Sequence, residues 1–390
     1  METQTPADVL RFGTAARAGS GQIEVGLEKV DRYQIALDKT LGVRGLGHKD
    51  IQEFYNVQAA YKEITGDFRF QFNIIPRQVT AQEALVATDF PNLLGRSMNR
   101  RVVQDFRDMN FHENIFISHR GGTDNFAQQR AVNLLGYEDP PVIDPESEDY
   151  SEGGKPLEES ASYPLRTVGD LMSVSEMVLR GDDFGGLRRI LRGRTRAHRR
   201  AFARFIWSFY TENATFQGDG VPWFAAGHGN LFTAALSPGA IQDAMTAIWE
   251  MVEPGSGEEI GGFGHDQGLG FKLIVGRNLW FTAKTINERP YVDANFTPNP
   301  VWRQFGENNE RIFVSPMPAD ADNWGIVSDV GDREIIEVKF LDGREEPAIG
   351  LTSLEEARRF GLHDKIVYKI KWSYGGVLVD YRNAAKSLVP

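Results

Sequence analysis

One stretch constrains this chain more than any other: Leu187–Asn213, LRRILRGRTRAHRRAFARFIWSFYTEN. Leu187, Ile190, Leu191, Ala197, Ala201, Phe202, Phe205, Ile206 and Phe209 recur at three- and four-residue steps. That is the stripe of a helix lying on a core. Asp182 or Asp183 offers a cap before it, and Asn213 with Gly218-Asp219-Gly220 offers stop signals after it. At 1.5 Å per residue such a helix spans roughly 40 Å, well beyond an ordinary globular helix. Eight arginines fall between Arg188 and Arg204, with no lysine and no acid among them. Gly193, mid-stretch, permits a bend at a cost of roughly 1 kcal/mol relative to alanine. A fold built on this helix must bury one face of it and find a use for the other.

The surrounding chain supplies material for that burial. Hydrophobic residues make up 41% of the 390, enough for a large core without disulfides or structural metal. Cysteine is absent, which removes disulfides, thiolate metal sites and a cysteine nucleophile together. No apolar run approaches the roughly 20 residues a membrane helix needs, and no signal-peptide pattern opens the chain. A net charge of −11 argues against a dedicated nucleic-acid binder, although one basic face can still meet a polyanion.

Read in order, residues 1–30 are a polar arm. Helices are expected over 50–64 and from Pro91 or Asn92 to about Asp108, with a short strand at Phe68–Phe72 between them. Residues 114–136 read as a strand, a Gly121-Gly122 turn and a further extended segment. From Gly136 to Glu159 acids crowd around a lone lysine with hardly an apolar anchor, which predicts a projecting loop or long hairpin tip. Residues 160–180 look extended. Ser237-Pro238 opens a helix over 239–251 on N-cap and N1 logic. Seven glycines within 255–270 mark a flexible loop. Phe271–Val275 is a buried strand, with a helix around 278–286 and an irregular stretch over 302–324. Glu334–Leu341 alternates and stops at Asp342-Gly343, a hairpin signal. A short helix is expected over 354–360. Lys365–Trp372 alternates, turns at Gly375-Gly376 and resumes from Val377.

Catalytic chemistry finds little footing. The seven histidines lack HExxH or His-x-His spacing, and the nearest pair of metal-ligand types, His265-Asp266, sits in the glycine-rich loop. No Gly-x-Ser-x-Gly elbow and no Gly-Lys-Ser/Thr phosphate loop are present. Paired carboxylates in the 144–159 loop have nothing apolar nearby to raise a pKa. No catalytic residue, metal site or cofactor site is assigned. The rival class is an enzyme or ligand-binding protein that uses the 255–270 loop as a lid.

The succession of an acidic loop, Asp182-Asp183, the long helix, Gly218-Asp219-Gly220, Phe224, His228-Gly229-Asn230-Leu231 and the helix at Ser237 resembles the major capsid proteins of tailed bacteriophages. The likeness is to the Hong Kong 97-type fold, particularly its Mu-like head subunits. The closing segment with its Tyr381-Arg382 turn is similar too, so that residues 90–390 are covered. The resemblance implies an α+β chain in five parts. Residues 1–115 are an N-terminal arm and extension, and 116–165 an extended-loop region with its tip near 136–162. Residues 166–221 form a peripheral domain with a spine helix, 222–325 an axial domain, and 326–390 strands returning to the peripheral domain. It implies a non-enzymatic shell subunit, self-assembling as hexamers and pentamers into an icosahedral virion around packaged double-stranded DNA. Assembly would take place in the host cytoplasm, without membrane, with portal, scaffolding or decoration proteins as further partners. Another phage structural protein is the alternative within that setting.

The basic helix and acidic loop suggest pairing between copies. Candidate inter-subunit contacts are Arg188, Arg192, Arg196 and Arg199 on one side, and Glu146, Glu148, Asp149 and Glu152 on the other, with Lys155. Some members of the family weld subunits through a lysine–asparagine isopeptide bond. Lys155, the only lysine of the loop, is the donor that habit implies.

Overall fold

A computed structural model describes residues 29–45, 50–65, 81–136, 157–175, 184–260, 270–329, 334–351 and 365–389. These fall into two compact units: the described residues of Met1–Arg101 with Ser175–Gly186, and those of Val102–Val174 with Leu187–Pro390. Expectations for the arm, the Phe68–Phe72 strand, the acidic loop tip, the Asp182-Asp183 cap and the 354–360 helix lie outside the described residues.

The smaller unit is helical. It contains α1 (Lys29–Leu41), α2 (Val57–Thr65) and the first part of α3 (Ala81–Asp108). Leu37, Leu41, Val57, Ala60, Phe90 and Leu94 are buried there, and the rings of Tyr61 and Phe90 meet edge to face. The second expected helix begins ten residues early, because Pro91 lies inside it. An interior proline usually ends a helix. Here the buried apolar side chains on either side of it, Phe90, Leu93 and Leu94, hold the helix together.

The larger unit contains two five-stranded sheets and a ribbon. Its elements in chain order are β1 (Ile117–Thr123), β2 (Gln129–Leu135), β3 (Leu157–Tyr163), β4 (Arg166–Ser175), the long helix α4 (Phe184–Thr211), β5 (Leu231–Phe232), α5 (Pro238–Trp249), β6 (Phe271–Val275) and α6 (Trp280–Glu288). They continue with β7 (Ile312–Val314), β8 (Trp324–Ser328), β9 (Ile336–Leu341), β10 (Ala348–Leu351), β11 (Lys365–Leu378) and β12 (Ala384–Ser387). The first sheet runs β1-β9-β11-β10, with β4 also on β11. The second runs β5-β12-β8-β6-β7, and β2 pairs with β3 alone.

The C-terminal half of α4 buries Phe202, Ala203, Ile206, Trp207 and Tyr210 in one core with Ile336, Val338 and Phe340 of β9 and Trp372, Tyr374 and Leu378 of β11. The second sheet shows why a period of two builds a sheet with both faces covered. Ile274, Val327 and Ala384 point into the α4 core, whereas Leu273, Val275, Ile326 and Ala385 point into a separate core with α5 and α6. Ser237 caps α5 as its sequence suggests, its hydroxyl accepting from the Ala240 N–H at 3.2 Å, with Pro238 in the first turn.

Two glycine pairs are not turns. Gly121-Gly122 lies within β1, and Gly375-Gly376 within the 14-residue strand β11. A Cβ at Gly375 would stand 2.7 Å from the Pro164 carbonyl oxygen, and one at Gly122 would stand 3.0 Å from Gly343 Cα. These glycines admit close backbone passage inside strands. Asp342-Gly343 does turn, both with positive φ. It makes no hairpin of β9 with β10, because β10 pairs with β11 while β9 lies between β1 and β11.

Two glycine substitutions should therefore act in opposite directions. Gly375→Val is expected to lower unfolding stability by about 1–3 kcal/mol through overpacking. Gly193→Ala, where a Cβ meets nothing within 4 Å, is expected to raise it by up to about 1 kcal/mol. Urea denaturation of the purified variants checks both.

Candidate functional site

The eight arginines of α4 do not form one population. Arg199 is buried and forms an ion pair with the buried Glu113, while its Nε donates to the Met109 carbonyl oxygen at 2.9 Å. Burial lowers the pKa of its guanidinium, and Glu113 works in the opposite direction. Arg194 pairs with Asp170 at 2.5 Å. Arg188, Arg189, Arg192, Arg196, Arg200 and Arg204 are exposed.

Of the arginines expected to reach another subunit, Arg188, Arg192 and Arg196 thus stay on the surface. Arg199 does not. Its periodicity put it with the basic face, but helical drift brings position 199 to the edge of the buried stripe, beside Phe202 and Phe106. The exposed positions 188, 192, 196, 200 and 204 follow each other at four-residue steps, one ridge of the helix surface. Like charges at that spacing repel by about 0.2–0.5 kcal/mol per pair, and α4 carries no acid to relieve them.

Glu146, Glu148, Asp149, Glu152 and Lys155 lie outside the described residues, as does His265-Asp266. The base of the acidic loop is described. It is the β2–β3 ribbon, with Gln129 opposite Tyr163 and Leu135 opposite Leu157. Four clamps tie this ribbon to the body. Arg382 forks onto both oxygens of Glu159 at 3.0 and 3.2 Å and also holds Asp380 at 3.0 Å. Gln217 exchanges two hydrogen bonds of 2.9 Å with the Ser162 backbone. The Tyr163 hydroxyl donates to Glu337 at 2.7 Å. Ala131, Ala161 and Tyr163 form a small core with Val377 and Val379 of the body. Burial opposes the charge on Arg382, but Asp380 and Glu159 outweigh it and raise its pKa.

Arg382 is stabilised in turn by an aromatic shelf. Its guanidinium lies 4.5 Å from the centroid of the Tyr381 ring, which stacks on His228 at 3.7 Å. His228 contacts Asp219 at 2.8 Å and the Trp223 carbonyl oxygen at 3.0 Å. The Gly-Asp-Gly and Gly-His-Gly-Asn segments after the long helix therefore build this shelf. Sequence reasoning saw these segments but missed their use. Glu159, read as one more acid of the loop, is the anchor, and only its place three residues before the strand's final Ser-Tyr marks it out.

No group of three or more histidine, aspartate or glutamate side chains among the described residues is arranged to hold a metal ion. An open depression lined by Lys39, Val43, Ile51, Gln52 and Glu53 lies in the smaller unit and gathers no catalytic set. No helix of the described residues is long and apolar enough to cross a membrane.

Residues 158–387, from the anchored ribbon through the long helix to the last strand, match the family described as phage capsid protein. The chain belongs to that family. Solved structures to which the chain is similar include a virus-like particle from Pyrococcus furiosus, at 11% identity over 75% of this chain and 98% of that one, with a TM-score of 0.40. Mycobacterium phage Patience gives 14% identity over 77% and 88%, at 0.45. The capsid of Myoviridae phage XM1 gives 14% over 71% and 90%, at 0.39. No curated protein sequence matches the chain. As a capsid-family protein it is a structural component of a phage particle.

The Arg199–Glu113 pair gives a test of the sorting of the arginines. Glu113→Gln should destabilise the chain by about 3–5 kcal/mol, because it leaves a buried guanidinium without its counter-charge. Adding Arg199→Met should recover most of that loss. Arg196→Met alone should change chemical-denaturation stability by less than about 0.5 kcal/mol.

Proposed function

We propose that this chain is the major capsid protein of a tailed bacteriophage, with the Hong Kong 97-type fold. Copies assemble as hexamers and pentamers into an icosahedral shell around double-stranded DNA. The observation that carries this reading is the family match over 158–387, which takes in the ribbon's second strand, the long helix, the second sheet and every strand of the first sheet but β1. In this reading 1–115 are the N-terminal arm and extension, and 116–165 the extended loop with its tip near 136–162. Residues 166–221 form the peripheral domain, 222–325 the axial domain, and 326–390 the returning strands. The work of the protein is burial of area between copies rather than turnover of a substrate.

The clamps at the ribbon base fit this role. A loop that laps a neighbour transmits load only if its root is fixed, and Arg382, Gln217 and Tyr163 fix it on the body. The exposed ridge of Arg188, Arg192 and Arg196 is assigned to the acidic segment of a neighbouring copy, to Glu146, Glu148, Asp149 and Glu152, with Lys155 beside them. Arginine suits such a contact, since its planar fork meets carboxylates in pairs. DNA inside the shell is a non-specific partner, and portal, scaffolding and decoration proteins are further ones. Assembly belongs to the host cytoplasm.

A charge-swap series tests the assignment. Arg192→Glu with Arg196→Glu should abolish closed shells in negative-stain images while leaving the monomer folded. Glu148→Lys with Asp149→Lys, added to the same chain, should restore them. Shells that form normally with both arginines reversed would remove the ridge from the interface.

A further inference from the structure

The connection from α6 to β7 carries an exposed apolar feature that the ribbon and the arginine ridge do not explain. Every residue from Glu288 to Pro298 is exposed, and the set includes Tyr291, Val292 and Phe296, the last at 70%. A loop so open to water usually has a polar tip. This one presents two rings in edge-to-face contact, their centroids 5.3 Å apart.

The loop is built to hold that tip. Tyr291 bridges Pro298, and the Val292 N–H donates to the Thr297 carbonyl oxygen at 2.9 Å. Asp293 accepts from the N–H groups of Asn295 and Thr297 at 2.9 and 3.1 Å and from the Thr297 hydroxyl at 3.0 Å. At its root, buried Asn299 donates to the carbonyl oxygens of Ile286 and Arg289 at 2.6 and 2.8 Å. Phe296 itself has φ +60°, a left-handed conformation that a Cβ disfavours. An unfavourable backbone angle under an exposed ring is the pattern of a surface shaped for a partner rather than for the isolated chain.

We propose that the 290–298 loop is a preorganised aromatic knob that docks on a second copy of this chain within the shell. The proposal rests on the capsid reading above, which supplies the occupant: a phage shell places identical chains side by side. The chemistry fits protein rather than nucleic acid, because the one charged residue of 290–298 is Asp293 and the two residues before it are Glu288 and Arg289, which leaves no excess of positive charge to meet phosphates. Exposed aromatics held rigidly are the residues that anchor interfaces, and a contact of this kind, knob on one copy and recess on the next, is heterologous, the type of contact from which rings are built when the rotation between copies closes.

Phe296→Gly tests the idea cleanly, because glycine removes the ring and also relieves the left-handed backbone. The full-length variant should unfold at the same temperature as the parent or higher, yet need at least tenfold more protein to form shells in a light-scattering titration. Phe296→Tyr should assemble near the parental concentration. If Phe296→Gly combined with Val292→Ser assembles at the parental concentration, the knob is overturned while the capsid reading stands. A parent chain that forms no capsomers or shells under any salt condition overturns the capsid reading, and the knob with it.

Discussion

The largest core of the larger unit depends on burying one side of a single helix. Phe202, Ile206, Trp207 and Tyr210 of α4 face aromatic residues from three directions. Phe116 meets Trp207 edge to face at 5.0 Å, Trp372 lies 5.0 Å from Phe202, and Phe224 meets Tyr210 at 5.4 Å. Each such side chain contributes about 1.5–3 kcal/mol on burial, and paired rings add to it. Both sheets reach this core, the first through β9 and β11 and the second through Ile274, Val327 and Ala384. The helix is therefore the element on which the two sheets are joined. Its buried stripe accounts for the fold, which leaves the opposite ridge of arginines for other work.

The polar groups in and around this core follow the same logic. Lys386 is buried and reaches Asp320 and the Tyr210 carbonyl oxygen, both at 3.0 Å. Burial lowers its pKa, and Asp320 partly offsets that. Arg199 with Glu113 and Arg382 with Asp380 are further buried pairs among the described residues, and Arg382 also holds the half-buried Glu159. Such pairs contribute little net stability against a well-packed apolar alternative, yet are costly to break singly. They fix geometry: one sets α4 against the segment before β1, and another sets the ribbon root against the last turn of the chain.

Much of the frame was legible in the residues. The apolar spacing of 187–209, the Ser237-Pro238 start and the apolar run 271–275 each point to one local structure, and tertiary packing agrees with them. The misreadings share a cause. Glycine pairs inside β1 and β11 look like turns because glycine serves both turns and close strand passage, and the Pro164 carbonyl oxygen that decides Gly375 is more than two hundred residues away in sequence. Pro91 looks like a helix start for want of knowledge of the buried residues around it. Arg199 and Glu159 look like members of surface charge runs, and only their distant partners, Glu113 and Arg382, separate them. The capsid family was readable from the order of several weak motifs. The clamps that fix the ribbon were not, since each joins residues far apart in the chain.

The central claim is that this capsid-family chain tiles a shell by contacts between identical copies. Cryo-electron microscopy of the full-length chain, expressed alone and purified, tests it most directly. Closed icosahedral particles are expected, built of pentamers and hexamers. In their maps the root of the ribbon should sit on its own subunit and the arginine ridge of α4 against a neighbour. Fields of isolated monomers at every protein and salt concentration tried would contradict the account.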